Sequence, residues 1–120
     1  MANIFTDAGE AIVVDILDGT VGVPANWYVA WGTGAGTAAK TDTTLFTEAT
    51  EARVAATKSQ PAADTNRFVA TITADGSKTI TNAGVFSASS GGTCLLKSDF
   101  TGIALVLNDQ IQFTFNLQFT

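Results

Sequence analysis

Along the last twelve residues, Asp109 to Thr120, polar and apolar side chains alternate without a break. Ile111, Phe113, Phe115, Leu117 and Phe119 fall on one side; Gln110, Gln112, Thr114, Asn116, Gln118 and Thr120 fall on the other. A period of two predicts a β-strand with one buried face. The polar face carries no charge, although an exposed strand at a chain end ordinarily needs a Lys or Glu to discourage pairing with another edge. Its amides and hydroxyls are therefore expected to be covered by neighbouring strands or by another subunit, which makes Gln110, Gln112, Thr114, Asn116 and Gln118 candidate interface residues.

The pattern upstream predicts further strands. Glu10 to Leu17 is a β-branched run ending at the turn pair Asp18-Gly19 and reads as a strand followed by a bend. Residues 1–9 then read as an N-terminal arm with Ile4 and Phe5 as apolar anchors for a neighbour, and 10–120 as one domain. Trp27 to Trp31 places both tryptophans and Val29 on one face before Gly32, Gly34 and Gly36 interrupt it. From Thr37 to Asp64 the periodicity fades, and extended or loop structure is expected, with room for a short helix around 45–56. Arg67 to Ala74 alternates again, with Phe68, Ala70 and Ile72 facing inward, and Asp75-Gly76 closes it. Lys78 to Thr81 continues into Val85-Phe86, Cys94 to Lys97 follows a Gly-Gly turn, and Ile103 to Leu107 is a continuous apolar run of the kind buried on both faces. Asn108-Asp109 is short enough to join that run to the last strand as a hairpin. About seven short strands with turn chemistry between them predict an all-β, single-domain β-sandwich, jelly-roll-like.

Composition supports this reading and narrows the function. A chain of 120 residues fits one domain. Only 14% of its residues are charged, well under the roughly 25% of an ordinary soluble domain, so much of the outside is expected to be neutral or covered. The net charge of −5 repels a phosphate backbone, and Lys40, Arg53, Lys58, Arg67, Lys78 and Lys97 are scattered, so nucleic acid is not an expected partner. The N-terminus has no basic segment followed by an apolar core, and no apolar run approaches the roughly 18 residues that span a bilayer, so neither a signal peptide nor membrane insertion is expected. Cys94 cannot form an intramolecular disulfide and reads as a buried thiol.

Candidate chemistry is sparse. With no histidine and one cysteine, Ser-His-Asp and Cys-His catalysis and His- or thiolate-bound zinc are excluded. Gly34 to Thr41 approaches the phosphate-cradling G-x-x-x-x-G-K-[ST] loop, but Ala39 stands where the last glycine belongs and the residues after Thr41 start a helix poorly. Asp15 with Asp18, and Glu48 with Glu51, are acid pairs of the kind a glycosidase uses, yet the first flanks a turn and the second lacks an aromatic or basic wall. Trp27 and Trp31 at strand spacing read as core, which leaves Tyr28 on the opposite face as the better ligand candidate. No catalytic, cofactor-binding or metal-binding residue is expected, and no cofactor.

Several segments carry a resemblance. Ile80-Thr-Asn-Ala-Gly-Val-Phe86, Ser90-Gly-Gly-Thr-Cys-Leu-Leu96, Phe100, the run to Leu107 and the alternating finish, with Val29-Ala-Trp-Gly-Thr-Gly34, Thr44-Leu45, Glu48, Arg53 and Val54 before them, resemble small virion structural proteins of tailed bacteriophages. Asn82 stands where that pattern has an acid, and Val85 where it has Leu. The resemblance covers about residues 27–56 and 78–120 and implies a non-enzymatic structural protein, made in the bacterial host cytoplasm and carried on the virion. Its preferred role is a capsid cement, or decoration, protein bound to the major capsid protein as a homo-oligomer, with a trimer implied by analogy. A tail-fibre or baseplate component bound to tail proteins is the alternative, and a carbohydrate-binding receptor module using Tyr28 is a second.

Overall fold

The computed structural model describes residues 3–120. Two antiparallel sheets form a sandwich. One has five strands in the order β1 (Ile4–Phe5), β7 (Cys94–Leu105), β6 (Lys78–Phe86), β2 (Tyr28–Gly32), β3 (Val54–Ala55); the other has three in the order β4 (Thr57–Ala62), β5 (Thr65–Thr73), β8 (Gln110–Gln118). The final strand alternates as its sequence requires: Phe113, Phe115 and Leu117 are buried and their polar neighbours exposed. Their rings meet residues of the facing sheet, Trp31 edge-on to Phe113 with centroids 6.2 Å apart, while Trp27 meets Phe68 at 6.1 Å. Both tryptophans are thus core residues, at 7% and 1% exposure. Such aromatic pairs add directional contact to the area they bury.

Among the described residues there is one helix, α1 (Asp7–Asp18), and it lies where a strand was expected. Thr6 caps it, its hydroxyl accepting the Gly9 N–H at 2.8 Å and donating to the Cys94 carbonyl at 2.6 Å. Asp7 and Glu10 place negative charge in the first turn, and Gly19 ends the helix in the left-handed region at φ 82°. Ile12 joins the core, with Val13 and Ile16 packed against it, a helical spacing hidden inside a β-branched run. Gly9 lets the helix reach β7, since a Cβ there would lie 2.5 Å from the Leu95 carbonyl oxygen. The boundary expected between residues 9 and 10 falls inside α1, and β1 pairs Ile4 with Lys97 and Phe5 with Leu96. Met1 and Ala2 of the expected arm lie outside the described residues.

A second correction concerns Ile103 to Leu107, expected as an interior strand. Leu105 alone is buried; Ile103, Val106 and Leu107 are 38%, 59% and 60% exposed. β1 covers β7 only at Leu96 and Lys97, so the second half of β7 forms the border of its sheet.

The outer side of the five-stranded sheet is closed by the irregular segment between β2 and β3. Ala30, Leu45, Phe86 and Cys94 form a small cluster there. Asn82, fully buried, accepts the Phe46 N–H at 3.0 Å and donates to the Phe46 carbonyl at 3.1 Å. A carboxylate could not make both bonds, which accounts for an amide at this place. Lys97, also fully buried, ends on Asp42 at 2.9 Å and the Thr44 carbonyl at 2.7 Å, over the Phe46 ring. Burial of the Cys94 thiol pushes its pKa up to about 11, so it packs as an unreactive small hydrophobe.

Candidate functional site

The outer face of the three-stranded sheet is rich in amide and hydroxyl side chains. The register sets Gln118 beside Thr65, Asn116 beside Arg67, Thr114 beside Val69, Gln112 beside Thr71 and Gln110 beside Thr73. Across β5, Thr57 and Ser59 of β4 stand opposite Val69 and Arg67. Arg67 is the one charged side chain within β5 and β8. Neighbouring amides are held laterally: Gln110 Nε2 donates to Thr73 Oγ1 at 3.1 Å, Arg67 Nε to Asn116 Oδ1 at 3.0 Å, and Gln118 Nε2 to Asp64 Oδ2 at 3.1 Å. The result is an ordered sheet of amide and hydroxyl groups with its outward side open.

Of the other expected interface residues, Ile4 and Phe5 sit at the border of the sandwich beside β8. The Phe5 ring meets Phe119 edge-on at 5.9 Å, and the Lys40 ammonium lies 5.9 Å from its centroid. Tyr28 lies elsewhere, half-buried in β2 between Ala55 and Phe86. The structure therefore brings the β8 residues and the Ile4-Phe5 pair to one border and leaves Tyr28 apart.

The residues that imitated catalytic motifs have structural partners. In the glycine-rich loop, Gly34 N–H donates to the Phe46 carbonyl, Ala38 N–H to Asp99 and Ala39 N–H to Asp42, each at 2.8–2.9 Å, so these donors already have acceptors of their own. Lys40 reaches the Phe5 carbonyl at 2.7 Å and pairs with Glu10. Glu48 holds Arg53 through both carboxylate oxygens at 2.9 Å. Glu51 pairs with Lys78 and accepts the Trp31 indole N–H at 2.8 Å. Burial pushes the Glu51 carboxyl up, but the bonds from Lys78, Trp31 and the Asp75 N–H outweigh it and hold the pKa at about 2. Asp18 is a turn acid whose pKa is held below the usual value by hydrogen bonding to the Thr20 side chain and by the Thr20 N–H, which it accepts at 2.9 Å.

Two apolar features escaped the sequence reading. One is the bare connection from β7 to β8, with Ile103, Val106 and Leu107; it passes from one sheet to the other, so the hairpin expected at Asn108-Asp109 does not form. The other is a groove of about 420 Å³ walled by α1 and the end of the sandwich, with Ile16, Leu17, Val23, Trp27, Leu117 and Phe119 along it. Leu17 is 82% exposed and Val23 71%. A run of apolar residues that ends in a turn, as Val106-Leu107 does, was the available sign that the chain leaves the core before the run is over.

In this mostly β sandwich most acids and all four lysines bond to groups of the chain itself. Residues 5–118 match the family described as Podophage GP4 fiber I protein gp80, and the chain belongs to that family of tailed-phage virion structural proteins. No curated protein matches it. Among the described residues, no helix is long and apolar enough to cross a membrane.

Proposed function

We propose that the chain is a non-enzymatic structural component of a phage tail fibre, acting through association with other virion proteins. The observation that carries this reading is the family match over residues 5–118, whose description names a fibre protein. It favours the tail alternative over the capsid-cement role preferred from sequence, and the trimer borrowed from cement proteins does not follow from a fibre role. The sandwich supports it in chemical terms: the amide and hydroxyl face of Gln110, Gln112, Thr114, Asn116 and Gln118 is exposed, and such a face suits packing against a neighbour without charge desolvation. The beside-lying Ile4 and Phe5 extend that border.

Cryo-electron microscopy of purified virions, with the sandwich fitted to the reconstruction, tests the location. Density for the sandwich on a fibre or its attachment point is the expected result. Density on the faces of the capsid shell would restore the cement role and overturn this one.

A further inference from the structure

The two bare apolar features lie at opposite ends of the sandwich. β8 spans nine residues, roughly 30 Å at the rise of an antiparallel strand, with the connection from β7 ahead of its first residue and the groove residues Leu117 and Phe119 at its other end. The connection is a firm tip. Asp109 N–H closes a turn on the Val106 carbonyl at 3.0 Å, the Asp109 carboxylate accepts the Val106 N–H at 2.9 Å, and Asn108 takes the left-handed conformation at φ 73°. Val106 and Leu107 stand out from it, and a carboxylate lies beside them.

The groove at the far end is complementary in shape and in charge. Trp27 and Phe68 are buried in its floor, and Leu17 and Val23 stand on its rim. Two of the chain's six basic residues line it, Lys58 and Arg67, and none of its 11 acids does. The same two are exceptional in the molecule's charge pattern. Lys40, Arg53, Lys78 and Lys97 each pair with a carboxylate; among the described residues, Lys58 and Arg67 do not. The Lys58 ammonium donates to the Ala25 carbonyl at 2.9 Å and Arg67 Nε to Asn116 Oδ1 at 3.0 Å, both neutral acceptors, so each cation keeps its charge and further donors. In a chain of net charge −5, two uncompensated cations beside one apolar groove reverse the local sign.

We infer that the groove receives the Val106-Leu107-Asn108-Asp109 turn of a second copy, Leu107 entering between α1 and the sheet and Asp109 meeting Lys58. The occupant follows from what the groove asks for: apolar side chains next to a carboxylate, on a turn narrow enough to enter a space of about 420 Å³. This turn carries both and is already held in shape, so docking it orders little chain. Because tip and groove lie at opposite ends, the contact is head to tail and leaves one free tip and one free groove, and copies stack in a line rather than close into a pair. The inference concerns self-association and does not depend on where in the virion the protein sits.

Leu17 and Leu107 are exposed, so each surface can be spoiled without touching the core. In sedimentation equilibrium, the average mass of the wild type should rise with concentration beyond twice the 12.4 kDa of one chain. Leu107→Asp, with a spoiled tip, and Leu17→Asp, with a spoiled groove, should each stay monomeric, and their mixture should form a one-to-one complex and stop there, because only one sound tip and one sound groove meet. Lys58→Glu should weaken association by roughly tenfold or more, and Lys58→Arg should preserve it. Far-ultraviolet circular dichroism of each variant should match the wild type. A wild type that stays monomeric at all concentrations, a closed dimer that grows no further, a mixture of the two leucine variants that stays monomeric, or a Lys58→Glu protein that associates as tightly as the wild type would each overturn the inference.

Discussion

β4 and β8 are the two borders of one small sheet, separated by a single strand, yet they are built on opposite rules. β4 is exposed at every residue and is interrupted by a proline and a shift in register. β8 buries Phe113, Phe115 and Leu117, half-buries Ile111, and keeps its register with β5 throughout. Their surroundings differ in the same sense. The side of the sandwich where β3 and β4 follow each other is locked by ion pairs, Glu51 with Lys78 and Glu48 with Arg53. The side bordered by β1 and β8 is closed by rings and amides, Phe5 on Phe119 and Asn3 on Asn116. The two borders are protected by different means: charge, proline and irregularity on β4, and on the neutral, regular β8 the rings and amides of residues 3–5.

The strongest blow to this contrast is to remove β8. Deleting residues 110–120 takes away Ile111, Phe113, Phe115, Leu117 and Phe119, and at about 1.5–3 kcal/mol for each side chain that is fully buried, the loss rivals the stability of a whole domain. Circular dichroism should show no folded sandwich, and a cooperative thermal transition in the truncated chain would contradict the core role given to this strand.

Two neighbouring substitutions separate the faces of β8. Phe115→Ala, at a position with 0% exposure, should cost about 3–5 kcal/mol in denaturant unfolding. Thr114→Ala next to it should stay within about 0.5 kcal/mol. Similar losses at both positions would mean that the outward face is already part of the monomer's own packing.

Acid should distinguish the two sides of the sandwich. The Glu51 carboxyl titrates at about 2 in the folded chain against 4.5 for an ordinary glutamate. A depressed folded pKa means that its stabilisation is complete above the unfolded value and is lost as pH falls from 4.5 toward 2. Thermal midpoints should drop across that window in the wild type and drop less in Glu51→Gln, which begins from a lower value. Equal slopes for the two proteins would remove Glu51 from the lock.

The smallest expected effect is at Lys40. Its side chain is about half exposed, at 54%, and an exposed ion pair contributes about 0–1 kcal/mol. Lys40→Ala should therefore change the unfolding midpoint only slightly, and calorimetry should detect no magnesium-dependent nucleotide binding in either protein. Binding that vanished in the variant would revive the phosphate-loop reading.

Period and turn chemistry were legible because they are local. The alternation of β8 announces a half-buried strand, the inward set Phe68, Ala70 and Ile72 of β5 is buried as its spacing demands, and the acids beside turns form the short-range bonds their positions suggest. Asp7 to Asp18 was not legible, because an isolated β-branched run favours a strand. It becomes a helix through Thr6 binding Cys94 and Gly9 meeting Leu95, groups more than eighty residues away. The bareness of Ile103 to Leu107 was hidden for a related reason: hydrophobicity says that a residue gains by burial, and strand order decides whether a neighbour arrives to bury it. Which of two strands borders a sheet is likewise a property of the whole chain path. The uncharged face of β8 could be read from its own residues; that it borders its sheet was decided by the chain path, which sets β5 on one side of it and, among the described residues, no strand of that sheet on the other.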